Sequence, residues 1–206
     1  MKRGTILSVI LAMAFIAALA FWAGIVRGGL STRTEPSRVE AIAARWVRSL
    51  SVPRDAKALA NPWAGKGSAE VLDAAKAHWA DHCASCHAND GSGNTEMGRT
   101  LYPRAPDMRL AATQSLTDGE LYYIIRNGVR LTGMPAWGNA ALKQDDESWQ
   151  LVLFIRRLPN MSTEEAEAMK ALNPRTDADR DEELEEQKFL NGGEEQPTSP
   201  SGVHHH

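Results

Sequence analysis

Two cysteines and a histidine lie within five consecutive residues of this chain, in the order Cys83-Ala84-Ser85-Cys86-His87. They are the only cysteines in a sequence of 206 residues. Two thiols about one helical turn apart suit covalent addition to the two vinyl groups of a porphyrin, and the imidazole that follows is then placed to bind the iron. The pattern therefore predicts one covalently attached haem c, with Cys83 and Cys86 as thioether links and His87 as an axial ligand.

A CxxC pair also occurs in zinc sites and in redox-active dithiols. A structural zinc site needs four ligands in a tetrahedron, and the sequence contains no second cysteine pair. A thioredoxin-like dithiol follows a strand in a βαβ unit, whereas the residues that precede Cys83 have a helical pattern. Haem attachment is therefore the favoured interpretation.

The segment TGMPAWG, residues 132–138, is predicted to supply the second axial ligand through Met134. A thioether sulfur opposite a histidine is a known pair of haem iron ligands. Met97 follows His87 too closely to reach easily around the porphyrin, whereas Met134 lies far enough along the chain. The competing ligands are Met97, Met108, His78 and His82.

Three helical segments are predicted to position these residues. The first runs from residue 68 into Cys83, and the third covers residues 148–158. The second begins with a capping box between Thr117 and Glu120. With almost no strand signal, the sequence predicts an all-α domain over residues 65–160.

The loop over residues 101–107 contains two prolines, which disfavour helix. Their carbonyl groups are predicted to accept a hydrogen bond from the ring N–H of His87 and so to fix the orientation of the imidazole. Four arginines are candidates for contacts with haem propionates or with acidic partner proteins, and they are Arg104, Arg109, Arg126 and Arg130.

The N-terminal region reads as a membrane anchor. Residues 5–26 form an uncharged run that spans about 33 Å as a helix, which is enough for the hydrocarbon core. Residues 1–4 include Lys2 and Arg3, so the positive-inside rule places them in the cytoplasm and the rest of the chain in the periplasm. A cleaved signal peptide is the alternative, because Ala18-Leu19-Ala20 suits cleavage. The apolar run continues beyond that site and favours an uncleaved, single-pass anchor in a bacterial inner membrane.

Residues 27–64 are predicted to be a periplasmic linker with an amphipathic helix at 38–50. Its apolar residues recur at helical spacing and include Val39, Ile42, Trp46 and Leu50. Such a helix packs on the domain, on the membrane surface or on a partner subunit, and a plain packing role is the simplest expectation.

Residues 161–206 are strongly acidic, with twelve acidic and four basic side chains and a net charge of −8, against +5 for the remainder. A capped helix is predicted at 163–172, and the residues beyond it are too charged to form a core alone. A solvated tail, partly helical to disordered, is expected, and a docking arm for a basic partner is the alternative. The terminal residues His204, His205 and His206 read as a tag remnant or as a metal-binding group.

Residues 66–160 resemble the class I c-type cytochrome family. The similarity rests on a helix that ends in CASCH, the turn DGSG, the loop LYPRAPD, the helix TDGELYYIIRNG, the segment TGMPAWG and a closing helix. The resemblance implies a three-to-four-helix fold around one covalent haem, with His87 and Met134 as the axial iron ligands and Cys83 and Cys86 as the thioether links. The anchor, the helix at 38–50 and the acidic tail lie outside that family core.

The resemblance implies electron transfer, because iron with both axial positions filled has no open site for a substrate. The resemblance, together with the predicted anchor, therefore predicts a periplasmic electron carrier that is not itself an enzyme. It would be either a tethered shuttle or the haem subunit of a respiratory oxidoreductase. Its predicted partners are the membrane and redox proteins, with no nucleic acid. A haem-based sensor or catalytic haem protein with an open axial site, and a metal-handling protein, are the alternatives.

Overall fold

A computed structural model describes residues 3–28, 31–139, 141, 145–175 and 177–190, and every regular element within these ranges is helical. The helices of ten or more residues are α1 (Arg3–Gly28), α2 (Arg38–Ser51), α4 (Ala69–His78), α8 (Asp118–Asn127), α9 (Asp146–Arg157) and α11 (Asp177–Leu190). The shorter ones are α3 (Arg54–Lys57), α5 (Ala84–His87), α6 (Glu96–Thr100), α7 (Ala111–Gln114) and α10 (Thr163–Ala168). The all-α prediction is confirmed, with more short helices than the sequence indicated.

Helix α1 carries no charged residue between Arg3 and Arg27, and its described side chains are almost all exposed. Within it, Gly4–Gly24 has a mean hydropathy of 2.5 and is long enough to cross a membrane, and none of that stretch is buried inside the protein. A helix of this length and composition is consistent with membrane anchoring, and a signal sequence near an N-terminus has the same properties.

Side-chain caps set where the longer helices begin. Thr117 and Glu120 form the predicted capping box of α8, and Ser68 caps α4 through a hydrogen bond to the N–H group of Val71. Helix α9 begins earlier than predicted because Asp145, which accepts a bond from the Ser148 N–H, is its cap. Each cap satisfies backbone donors that the helix itself leaves free.

The core lies where α4 packs on α9 and α9 packs on α8. Its largest fully buried side chains are Trp79, Phe154, Leu151, Ile155, Leu158 and Val152. The packed region extends beyond residues 65–160 on both sides, since Val52 is buried before it and Met169 joins the core cluster after it. The segment 163–172 forms α10 followed by a 3-10 turn, Met169–Leu172, and this turn packs on the helix that leads to Cys83.

Helix α2 is held to the domain by its polar side, and its apolar face is exposed. The expected packing of that face on the domain is therefore not found among the described residues. Helix α11 of the acidic tail is also exposed over residues 180–190. Residues His204, His205 and His206 lie outside the described residues.

Candidate functional site

The CxxCH segment lies at the point where α4 changes its winding. One turn of π-helix, Trp79–Cys83, separates α4 from α5, which ends at His87. A π-turn inserts an extra residue into a helix and shifts the direction of the side chains that follow, and such turns are frequent at functional sites. In this arrangement Cys83 and Cys86 are partly covered and unbonded to each other, while His87 is only 8% exposed.

The imidazole of His87 is buried, and one of its two ring nitrogens lacks a clear hydrogen-bond partner. Its Nδ1 atom is buried and has no hydrogen bond of ordinary geometry to any described residue. Burial lowers the pKa of His87, and the backbone carbonyl of Pro106 raises it by a smaller amount. The ring is therefore neutral near pH 7, which is the form that binds metals. The contact with Pro106 lies in the loop 101–107, where a proline carbonyl was predicted to orient the ring.

The residue after His87 has an unusual backbone conformation. Ala88 has φ 60° and ψ 162°, a region that is populated almost only by glycine. Two hydrogen bonds hold it there: its N–H donates to the carbonyl of Ala84 at 2.8 Å, and its own carbonyl accepts from Nε1 of Trp79 at 3.0 Å. The centroids of the Trp79 and His87 rings are 5.8 Å apart, so the same tryptophan also packs near the imidazole.

The thiol of Cys83 is protonated at neutral pH. Burial, with a smaller contribution from the neighbouring Cys86, raises the pKa of Cys83 to about 12. Reactive dithiols of redox enzymes have lowered thiol pKa values, because the thiolate is the nucleophile. A raised pKa therefore disfavours the redox-dithiol interpretation of this CxxC pair.

Helix α6 supports the turn that carries the two cysteines. The hydroxyl of Thr95 donates to the carbonyl of Cys86 at 3.2 Å. Gly98 packs against the same carbonyl so closely that a Cβ atom at position 98 would collide with it. This approach fixes the backbone of the CxxCH segment from the side of α6.

The loop that carries Met134 is bound to α8 by its backbone. The N–H groups of Trp137 and Gly138 donate to the carbonyls of Ile125 and Arg126, at 3.0 and 3.2 Å. The carbonyl of Met134 accepts from the N–H of Val129 at 3.0 Å. These bonds lie at Met134 and after it, and they hold the backbone of the loop against the C-terminal part of α8 and the residues that follow it. The side chain of Met134 is partly buried.

Two contacts bring the Met134 loop to the rest of the site. The rings of Trp137 and His82 stack with centroids 5.3 Å apart and an interplanar angle of 28°, which joins the loop to the π-turn before Cys83. A Cβ atom at Gly133 would lie 2.5 Å from the side chain of Leu101, so the loop also touches the segment 101–107. The stacking of Trp137 on His82 has no signal in the sequence, because a contact across 55 positions leaves no local pattern.

The other residues that the sequence suggested are placed elsewhere. Met108 belongs to the buried core cluster, and Met97 lies on α6 with 54% of its surface exposed. The rings of His78 and His82 meet edge to face at 5.1 Å. Of the four arginines, Arg104 pairs with Glu35, Arg109 with Asp90 and Asp107, and Arg126 donates to the hydroxyl of Tyr122, while Arg130 is exposed.

The donor set fits a haem better than it fits a free metal ion. No group of three or more His, Cys, Asp or Glu side chains suited to a metal ion occurs in the described part of the chain. A neutral imidazole, a thioether and two unpaired thiols are the groups that a covalently attached haem uses. The imidazole of His87 lies beside the backbone carbonyl of Pro106, and metal-binding histidines commonly direct their second ring nitrogen to such an acceptor.

Comparison with known families agrees with this chemistry. Residues 70–155, somewhat less than half of the chain, match the family described as Cytochrome C oxidase, cbb3-type, subunit III. The matched range contains CxxCH, the loop 101–107, α8, Met134 and most of α9. No curated protein matches the chain.

Proposed function

We propose that this chain is a membrane-anchored periplasmic cytochrome with one haem c. Its residues 70–155 form a class I c-type cytochrome domain and hence a haem-based electron-transfer unit. It transfers single electrons and does not transform a substrate itself. The observation that carries the proposal is the placement of the buried imidazole of His87 at the end of the CxxCH turn, beside the carbonyl of Pro106.

Four residues of this chain would hold the haem. Cys83 and Cys86 form the thioether links, His87 is the proximal ligand and Met134 is the distal ligand. When bound, the haem supplies an iron that changes its charge by one. The neutral state of His87 follows from its burial.

Met134 is favoured as the distal ligand by the positions of its competitors. Met108 is 9% exposed within the core cluster of the domain. Met97 lies next to Gly98, which touches the Cys86 carbonyl, and so belongs to the helix that supports the proximal turn. The loop of Met134 instead approaches from α8 and is joined to the π-turn by the Trp137–His82 stack.

A domain with both axial ligands supplied by the protein performs outer-sphere electron transfer. The role of the chain is then to keep the two ligands in one geometry in both oxidation states, because little reorganisation is needed when the coordination does not change. The loops held by Trp79, Gly98 and α8 serve this purpose. An open axial position would instead suit a sensor or a catalytic haem protein.

The location proposed is the periplasmic side of the bacterial inner membrane. Support comes from the apolar helix Gly4–Gly24 and from Lys2 and Arg3 ahead of it. The family that the domain matches is described as an oxidase subunit, which favours work within, or next to, a respiratory complex. A tethered shuttle between such complexes is the second possibility, and co-purification of an oxidase with the chain in mild detergent separates the two.

The test of function is the visible spectrum and haem content of the full chain made with c-type maturation. A low-spin ferrous spectrum, one haem per chain and a ferric methionine–iron charge-transfer band are expected. Replacing Cys83 and Cys86 with alanine should abolish haem that resists acid–acetone extraction. A high-spin ferrous spectrum that changes on addition of carbon monoxide would overturn the electron-carrier proposal in favour of an open-site haem protein.

A further inference from the structure

Helix α2 has a continuous apolar face that no described residue covers. Its five large apolar side chains have exposures from 55% to 76%, and they are Val39, Ile42, Trp46, Val47 and Leu50. At about 100° per residue they occupy roughly 140° of the helix circumference. Soluble domains rarely leave such a face in water, and exposed apolar patches of this kind mark interaction surfaces.

The opposite side of α2 is the side that contacts the domain. Ala41 and Arg48, about 180° around the helix from the apolar face, are the partly covered residues of α2. Val52, which ends the helix, is buried. The apolar face therefore lies on the side of α2 opposite to its partly covered residues.

Polar contacts hold α2 to the domain at both ends. Near its start, the Tyr102 hydroxyl donates to Oε1 of Glu40 at 3.3 Å. Near its end, Nζ of Lys57 donates to the carbonyl of Ser49 at 2.5 Å. Tyr102 lies in the loop 101–107 that also contains Pro106, so α2 is connected to the segment beside His87.

The chain keeps α2 close to any membrane that α1 enters. Helix α1 ends at Gly28 and α2 begins at Arg38. The residues between them span at most about 30 Å when fully extended. A helix with an exposed apolar face is thus tethered within reach of the lipid surface.

The charge around α2 suits an anionic surface. Residues 27–54 contain two glutamates and six arginines, a net charge of +4, and the arginines are Arg27, Arg33, Arg38, Arg45, Arg48 and Arg54. Arg38 and Arg45 border the apolar face on one side, at roughly 100° to 120° from Val39. Trp46 lies near the centre of the face, and tryptophan is enriched where lipid headgroups meet the acyl chains.

We propose that α2 lies in the headgroup region of the membrane, with its apolar face in lipid and its arginines on anionic phospholipid. Interfacial helices combine these two features: an apolar face and a basic border. Because Tyr102 connects α2 to the domain through Glu40, the helix would influence which side of the haem domain faces away from the membrane. This inference rests on the proposed anchoring of α1.

The test uses the full, haem-loaded chain in nanodiscs, with a nitroxide label on one of two neighbouring residues. Ala43→Cys places the label on the apolar face, and Ala44→Cys places it about 100° away on the polar side; both alanines are exposed. Spectra are recorded on the oxidised protein, because the reductants that convert the haem to the ferrous state also reduce the nitroxide. Collision with oxygen reports lipid, and collision with a water-soluble nickel chelate reports water. The nanodiscs contain phosphatidylcholine, with or without phosphatidylglycerol.

The expected result is a ratio of oxygen to nickel collisions that is several-fold higher at position 43 than at position 44, with the difference larger when phosphatidylglycerol is present. The additional change Trp46→Gln should reduce the ratio at position 43 towards that at position 44. Equal exposure of both labels to nickel would overturn the proposal. Shielding of the label at position 43 from both reagents would also overturn it, because a protein surface would then cover the face.

Two controls separate failure of this inference from failure of the proposed function. Resistance to extraction by alkaline carbonate reports whether α1 is a membrane anchor. The visible spectrum of each labelled protein reports whether the haem site is intact. A chain that is anchored and has a normal spectrum, but whose label at position 43 is in water, contradicts the inference about α2 alone.

Discussion

The indole Nε1 of Trp79 donates a hydrogen bond of 3.0 Å to the carbonyl oxygen of Ala88. Trp79 is 1% exposed, and Ala88 directly follows His87. The bond connects the start of the π-turn with the residue at which the CxxCH turn ends. The buried side chain of Trp79 thus connects the two ends of the segment from the π-turn to the residue after His87.

Replacing Trp79 with phenylalanine should lower the free energy of unfolding by about 1–3 kcal/mol, because the Ala88 carbonyl loses its buried donor. Guanidinium unfolding of the haem-loaded protein, followed by haem absorbance, measures the change. Trp63→Phe is the matched control, since Nε1 of Trp63 is buried with no hydrogen-bond partner among the described residues. Equal losses from the two substitutions would show that ring volume, and not the Trp79–Ala88 bond, determines the effect.

Met134→Ala should open one axial position of the iron. The ferrous protein is then expected to bind carbon monoxide readily, and the ferric charge-transfer band from methionine should disappear. Met97→Ala is the control, because Met97 is 54% exposed on α6. Absorbance spectra with and without carbon monoxide provide the measurement. An unchanged spectrum in Met134→Ala would assign the ligand to another residue.

Gly98→Ala should destabilise the domain by about 1–3 kcal/mol, in the range of overpacking substitutions. The new Cβ atom meets the backbone carbonyl of Cys86, which no change of rotamer can move. We also expect a lower yield of haem-loaded protein, measured as haem absorbance per milligram. Gly67→Ala is the control, because its Cβ would lie at an ordinary 3.5 Å from Leu153. Similar yields and stabilities for both variants would disprove the close approach of α6.

The ion pair of Glu165 should make docking of α10 dependent on pH. Glu165 lies 2.8 Å from Nζ of Lys76 and 3.2 Å from Arg157. These groups, Lys76 first, lower the pKa of Glu165 below its ordinary value of 4.5. A lowered folded-state pKa means that the stabilisation is complete above the unfolded value and is lost as the pH falls through the folded one.

Glu165→Gln is accordingly expected to reduce stability by less than about 1 kcal/mol at pH 7, the range for accessible ion pairs. The difference in stability between Glu165→Gln and the parent protein should shrink as the pH falls below about 4, the usual range for the pKa of glutamate. Thermal unfolding at a series of pH values measures both quantities. Glu167→Gln serves as the control, since Glu167 pairs only at the surface with Lys170. A difference that does not change with pH would contradict the role of the carboxylate charge.

Local signals explain which parts of the fold could be predicted from the sequence. The capping box of Thr117 and Glu120 and the glycine that ends α8 act within one turn, so residue types alone identify them. CxxCH is equally local. The amphipathic spacing predicted a helix at 38–50, and the structure has α2 at Arg38–Ser51. It did not indicate which neighbour the apolar face has, because periodicity describes a face and not its partner.

The remaining features arise from contacts between distant residues. The π-turn before Cys83 has the same residue types as an ordinary helix, so no local pattern distinguishes it. Burial of Met169 joins the segment 163–172 to the core, a contact that the helix predicted there did not indicate. The stacking of Trp137 on His82 likewise requires the folded chain.

The backbone of Ala88 has a consequence for which sequences this site tolerates. At φ 60° and ψ 162° a side chain is unfavourable whatever its chemistry, because the Cβ atom itself is the source of the conflict. In a library that samples all twenty amino acids at position 88, glycine should be enriched over the alanine now present, and valine and isoleucine should be depleted most strongly. Substitutions at the residue next to His87, the proposed iron ligand, would thus be ranked by backbone geometry rather than by hydrophobicity or charge.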